Sequence, residues 1–272
     1  MELTDTHCHI HEALGTAKLS TETKARYNKA GSPTPDDMIV SAIADDVTRI
    51  IVVGTTLEDS EIAVDFAKKR NAVWSSIGLH PHEAKIYAHD SKALKQFAKL
   101  AGSSRLIAVG ECGLDYYYNH SMPEDQAAIL RFQIELALEH DLAMIFHVRE
   151  AFDDFWPIFD EYKGIRGVVH SFTGNRKDLD NVLDRGLYVG LNGITTFTNK
   201  RDQLEAIKAV PLPKLLLETD APFLTPAPHR GRLCEPKHIR VTAEFLAELR
   251  GESLPELARQ TTENAQSVFR LR

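Results

Sequence analysis

The chain has 272 residues, 43% of them hydrophobic and 26% charged, and a formal net charge of −7. This balance excludes a protein that coats long duplex DNA, because neutralising phosphates requires a basic surface. No run of about 18 apolar residues exists to span a membrane, and the start, MELTDTHCHIH, lacks the basic and apolar regions of a signal peptide. The three cysteines, Cys8, Cys112 and Cys234, are odd in number and far apart. They read as reduced thiols of a cytoplasmic protein. An acidic chain can still hold a nucleic-acid end in a local basic cleft, so charge limits the mode of contact and not the substrate.

In chain order the apolar runs that predict strands are 2–7, 49–54, 73–78, 106–111, 143–147, 167–170, 187–192 and 215–219. Between them lie amphipathic helical stretches, among them 57–70, 123–140 and 177–186. Pro123 and two acids open the second of these, which suits a helix N-terminus. Eight strands alternating with helices predict parallel βα units. The expected fold class is α/β, a single (β/α)8 TIM barrel spanning residues 1–272 as one domain. An open doubly wound sheet usually carries a Gly-rich loop after its first strand; here a His-rich segment stands there. Residues 10–35, after the first strand, read as the longest irregular piece.

The strand ends carry the chemistry. His7 and His9 close the first strand, and alternation turns both to one face and Cys8 to the other. Glu111 ends the fourth strand, His147 the fifth and His170 the sixth, while the eighth ends at Glu218 and Asp220. Ionisable groups that end apolar strands cost several kcal/mol, roughly, unless paired or metal-bound. Barrel enzymes place catalytic groups at these C-terminal ends. Four histidines and two carboxylates, His7, His9, Glu111, His147, His170 and Asp220, suffice for two divalent metal ions, with one carboxylate bridging. Such donors suit Zn, Mn, Ni or Fe, and Mg where carboxylate or water predominates.

At these residues the sequence resembles the TatD family of metal-dependent deoxyribonucleases, within the wider amidohydrolase-like superfamily. The resemblance rests on DTHCHI (5–10), GLHPH (78–82), GECGLDYY (110–117), FHVRE (146–150), HSFTG (170–174), ETDAPFL (218–224) and HRG with the following Glu-Pro (229–236). It covers essentially the whole chain. It implies metal ligands at the six positions above and hydrolysis of DNA phosphodiester bonds, often from the 3′ end, with single-stranded DNA ends as substrate. Three departures stand out. Cys234 occupies a position where the family usually has Asn, the segment after the first strand is longer than usual, and the acid that often follows the H-x-H pair has no clear counterpart.

On this reading His7, His9 and Asp220 hold one metal, and His147 and His170 the other, with Glu111 bridging. Asp220 is the expected general base for a metal-activated water. Glu218 orients water or a ligand histidine. His80 contacts the scissile phosphate or protonates the leaving oxygen. Arg230 and Arg149 are the expected phosphate contacts. The Tyr116–Tyr118 run offers a stacking face. Residues 15–34 carry Lys18, Lys24, Arg26 and Lys29 against Glu22, a positive stretch in which Tyr27 is a candidate base-stacker. Two other classes fit the same residues less well: a small-molecule amide or ester hydrolase, and a metal-stabilised scaffold without activity. The oligomeric state stays open, and a monomer suffices.

Overall fold

The structure is a computed structural model and describes residues 1–14 and 20–271. Eight parallel strands follow one another in a single sheet in the order β1 to β8, the topology of a (β/α)8 barrel. The chain forms two compact units, Met1–Val52 with Ser171–Ser267, and Val53–His170 with Val268–Leu271.

The first unit holds β1 (Leu3–Cys8), α1 (Thr21–Lys29), α2 (Pro35–Ala44) and β2 (Val47–Val53, up to Val52). Its second half adds α8 (Arg176–Asp184), β7 (Tyr188–Leu191), α9 (Arg201–Ala209), β8 (Leu215–Leu217), α10 (Ile239–Arg250) and most of α11 (Leu254–Phe269). β1 is buried along its whole length, as parallel strands covered on both faces are. Leu3, Ile50, Val189, Leu215, Leu216 and Leu217 form its core, each burial contributing roughly 1.5–3 kcal/mol.

The expected irregular stretch 10–35 is corrected. It contains a 3-10 turn, Ile10–Leu14, and the helix α1. Ser20 caps α1 by accepting from the Thr23 amide, and Arg26 and Lys29 sit in its last turn, where cations suit the helix dipole. Lys18 lies outside the described residues. Tyr27, expected to stack on a base, is instead only 6% exposed and anchors α1. Thr34 and Asp37 form a capping box around Pro35 that starts α2.

The second unit holds α3 (Leu57–Lys68), β3 (Val73–Ile77), α4 (Ala84–Tyr87), α5 (Ser91–Ala98) and β4 (Leu106–Asp115). It continues with α6 (Pro123–Glu139), β5 (Ala143–Arg149), α7 (Phe152–Asp160) and β6 (Gly167–Val169). Phe97, Phe146 and Phe155 are fully buried, the last two with ring centroids 5.1 Å apart. β4 runs four residues beyond the expected end at Glu111. Cys112, Gly113, Leu114 and Asp115 pair with Phe146, His147, Val148 and Arg149. Gly113 makes this possible: its φ is +150° and a Cβ there would run into the His147 carbonyl oxygen.

Candidate metal centre

In the first unit the ends of β1 and β8 are laced together by backbone. The Asp220 amide donates to the His7 carbonyl at 2.8 Å and the His9 amide to the Ala221 carbonyl at 2.6 Å. Asp220 takes a left-handed conformation, φ +58°, which Asp tolerates better than most residues. The result brings three donors together. His7 Nε2 and His9 Nε2 are 3.1 Å apart, and Asp220 Oδ1 lies 3.6 Å from the first and 3.4 Å from the second. Ligands on a tetrahedral ion with bonds of about 2.1 Å stand about 3.4 Å apart, so the triad fits a divalent cation.

Asp5 was missed at the sequence level. It lies two residues before His7 on the same strand face and is fully buried. Thr219 donates its amide at 3.0 Å and its hydroxyl at 2.6 Å to the Asp5 carboxylate, and the His7 amide donates at 3.3 Å. Burial pushes the Asp5 carboxyl up to about 8, against these hydrogen bonds. Asp5 therefore fixes the residue that precedes Asp220. Glu218 is also fully buried. Its Oε1 accepts from the Ser171 amide at 2.6 Å, and Asn192 Nδ2 stands 3.4 Å away while donating to Ser171 Oγ at 2.9 Å. Glu218 thus holds the residue that follows His170. A Cβ at Gly190 would collide with this carboxylate, which is why glycine stands there. Arg230 is exposed; it donates to the Thr225 carbonyl at 3.0 Å and lies 3.7 Å over the Phe197 ring.

In the second unit Glu111 Oε1 is the focus. His147 Nδ1 lies 2.7 Å from it, His170 Nε2 3.4 Å and His80 Nε2 3.6 Å. His80, Glu111 and His147 form a group able to hold a metal. The other face of His147 reveals a second residue that sequence reasoning missed. Its Nε2 lies 2.9 Å from Asp115 Oδ2, which also takes His82 Nε2 at 3.0 Å. Asp115 Oδ1 accepts the Tyr117 and Tyr118 amides, each at 3.0 Å. Burial alone would raise the Asp115 pKa; the hydrogen bonds from His147, His82 and Tyr118 outweigh it and hold the carboxyl far below the usual range. For His147, burial is outweighed by Asp115 and Glu111, and its pKa rises. An imidazole that gives Nε2–H to a carboxylate presents Nδ1, once deprotonated, to a cation. The signal for both aspartates was in the sequence: Asp5, His7 and His9, like Glu111, Gly113 and Asp115, recur at the two-residue period of a strand.

Burial depresses the His80 pKa to about 4, with Glu111 opposing. Its Nδ1 accepts the His82 amide at 3.2 Å, so Nε2 carries the proton of the neutral ring. In this arrangement His80 Nε2–H is a hydrogen-bond donor. Arg149 has no carboxylate partner among the described residues; its guanidinium lies 4.1 Å and 4.8 Å from the Tyr117 and Tyr118 ring centres. Those two rings are 53% and 49% exposed. Tyr116 instead gives its hydroxyl to Asp154 at 2.9 Å. All three cysteines are buried and free. The Cys8 thiol faces the Ile51 carbonyl and the Cys112 thiol the Ile145 carbonyl, as strand alternation predicts for thiols turned away from the ligands. Burial raises the pKa of all three.

Residues 4–270 match the family model described as TatD related DNase. The metal-dependent hydrolase YcfH of Escherichia coli K12 is 34% identical over 273 residues, covering 100% of this chain and 97% of that one. The 3′-5′ ssDNA/RNA exonuclease TatD of Cronobacter sakazakii is 36% identical over 241 residues, covering 86% and 91%. Among solved structures, the TatD homologue YjjV of Escherichia coli K12 superposes with a TM-score of 0.84 at 26% identity, covering 99% of this chain and 98% of that one. No helix among the described residues is long and apolar enough to cross a membrane. The chain belongs to the TatD family of metal-dependent hydrolases.

Proposed function

We propose that the protein is a deoxyribonuclease that hydrolyses phosphodiester bonds at single-stranded DNA ends, as a 3′ exonuclease using two divalent ions of the Mg, Mn or Zn type. The observation that carries the hydrolytic part is the His7–His9–Asp220 triad, with donor spacings of 3.1–3.6 Å. The nucleic-acid part is supported by the family and by the relative named as an ssDNA/RNA exonuclease. In this reading His7, His9 and Asp220 hold one ion, and His147 and His170 with Glu111 hold the other. When bound, such ions make water acidic enough to supply a nucleophile near neutral pH and neutralise phosphate charge.

The protein groups do the rest. Asp220 takes the proton of the attacking water. His80 donates its Nε2–H to a phosphate oxygen. Asp115 keeps His147 in the tautomer whose Nδ1 faces Glu111, and Glu218 fixes the chain next to His170. Arg149, over Tyr117 and Tyr118, forms a cation-backed aromatic face on which an unpaired base stacks. Glu111 on β4 favours this branch over relatives that bridge their metals with a carboxylated lysine.

A single-stranded oligonucleotide labelled at its 5′ end tests the proposal. The expected product is a ladder that shortens from the 3′ end and disappears with chelator. Hydrolysis of a small ester with an intact oligonucleotide would instead place the chain among small-molecule hydrolases. Inactivity on both would leave a metal-binding scaffold.

A further inference from the structure

The first unit carries a cavity of about 870 Å3 that takes no part in the metal chemistry above. Its walls come from the end of α1, from Asp45 just after α2, from the segment between β8 and α10, and from the first turns of α10. In the chain, α1 follows β1 and the segment before α10 follows β8, the strands whose ends carry His7, His9 and Asp220, while Asp45 stands in the turn before β2. Five cations line it: Arg26, Lys29, Arg232, Lys237 and Arg240, against the acids Asp45, Glu235 and Glu244. The positive excess stands out in a chain of net charge −7.

The cations are not equivalent. Arg26 is paired with Glu22 at 2.6 Å, Lys237 with Glu235 at 2.9 Å, and Arg240 with Asp46 at 3.2 Å and Glu244 at 3.1 Å. Lys29 and Arg232 are exposed and have no carboxylate partner among the described residues. Their charge is the uncompensated part. Beside them His238 accepts the Glu235 amide on Nδ1 at 2.9 Å, which leaves its Nε2–H as a neutral donor. Spaced cations with a neutral donor, in a groove large enough for a nucleotide-sized ligand, match a chain of phosphates better than a single carboxylate.

We infer that this groove binds the phosphodiester backbone of a single nucleic-acid strand away from the scissile bond, with Lys29 and Arg232 as its principal contacts. The inference rests on the nuclease reading and assigns the helix α1 a role in holding the strand. Tyr27 then acts as the buried anchor that presents Arg26 and Lys29.

The test uses the metal-loaded protein and a non-hydrolysable phosphorothioate decanucleotide, with affinity measured across a salt series. Lys29→Glu with Arg232→Glu should weaken binding at least about tenfold at low salt and flatten the slope of log affinity against log salt by about 1.4, two contacts at roughly 0.7 each. Lys92→Glu with Lys95→Glu on α5 makes the same change in net charge elsewhere and should leave affinity within about twofold. Hydrolysis of a dinucleotide, too short to reach the groove, should be unchanged in both variants, which also shows that the fold is intact. Wild-type affinity and salt slope in Lys29→Glu/Arg232→Glu, or an equal loss in the α5 variant, would overturn the groove while the nuclease reading stands. A wild-type protein that neither binds nor cuts oligonucleotides overturns both.

Discussion

Glu111 and Asp115 stand four residues apart on one strand and divide the work around His147. Glu111 faces its Nδ1 at 2.7 Å and Asp115 its Nε2 at 2.9 Å. In the proposed centre the first carboxylate would accompany a cation, and the second sets which nitrogen is presented to it. Second carboxylates of this kind typically contribute 10–100-fold, roughly, to metal affinity or activity. Asp115→Asn should therefore lower metal affinity by about that factor, read by titration calorimetry, with kcat falling in step. An unchanged affinity would show that Asp115 only braces the Tyr117–Tyr118 turn. His9→Ala and Asp220→Asn remove donors of the other triad and should reduce activity by orders of magnitude while circular dichroism stays native, because barrel cores lie apart from the catalytic face. Full activity in either variant would remove the triad from the mechanism.

At the scale of elements, the long β4 is what places Asp115, and Gly113 is what lets β4 run on. Gly113→Ala adds a methyl that meets the His147 carbonyl, at a φ of +150° that side chains rarely adopt. Strain of about 2–3 kcal/mol corresponds to a Tm lower by roughly 5–10 °C in a chain of this size, and metal affinity should fall as well, because β4 and β5 separate at His147. Gly164→Ala, also at positive φ but with open space around it, should shift Tm less and leave metal affinity alone; equal effects at the two sites would refute the argument. The apolar runs made all eight strands legible, and ionisable strand ends located all six proposed ligands. Sequence patterning failed where the chain departs from apolar alternation. The apolar run of β4 stops at Glu111, and the strand continues through Cys112–Asp115 on backbone pairing with β5. The helix α1 was read as irregular because its polar sequence buries only Thr23 and Tyr27. Asp5 and Asp115 sat in plain view at strand spacing, but their worth depends on partners, Thr219, His82 and His147, that only folding brings near.

For the whole molecule, charge and acid stability are linked through buried imidazoles, and His238 gives the clearest case. It lies outside both ligand clusters, so metal content does not blur its titration. Burial first, then the charges of Lys237, His229 and Arg232, depress its pKa from 6.5 to about 4. In the unfolded chain His238 takes up a proton near pH 6.5; in the folded protein it does so only near pH 4. Between those values the unfolded state binds more protons, so stability falls as pH drops from 6.5 to 4 and this contribution levels off below. The full shift corresponds to at most roughly 3 kcal/mol. His238→Gln keeps an acceptor for the Glu235 amide but cannot take the proton. Urea unfolding of both proteins at pH 7.5, 5.5 and 4.5, in chelator, should show wild type losing stability relative to His238→Gln across that window, while other acid-sensitive groups cancel in the comparison. Curves that stay parallel at every pH would mean that His238 titrates alike in the folded and unfolded chains, and that the positive field around it is screened by solvent.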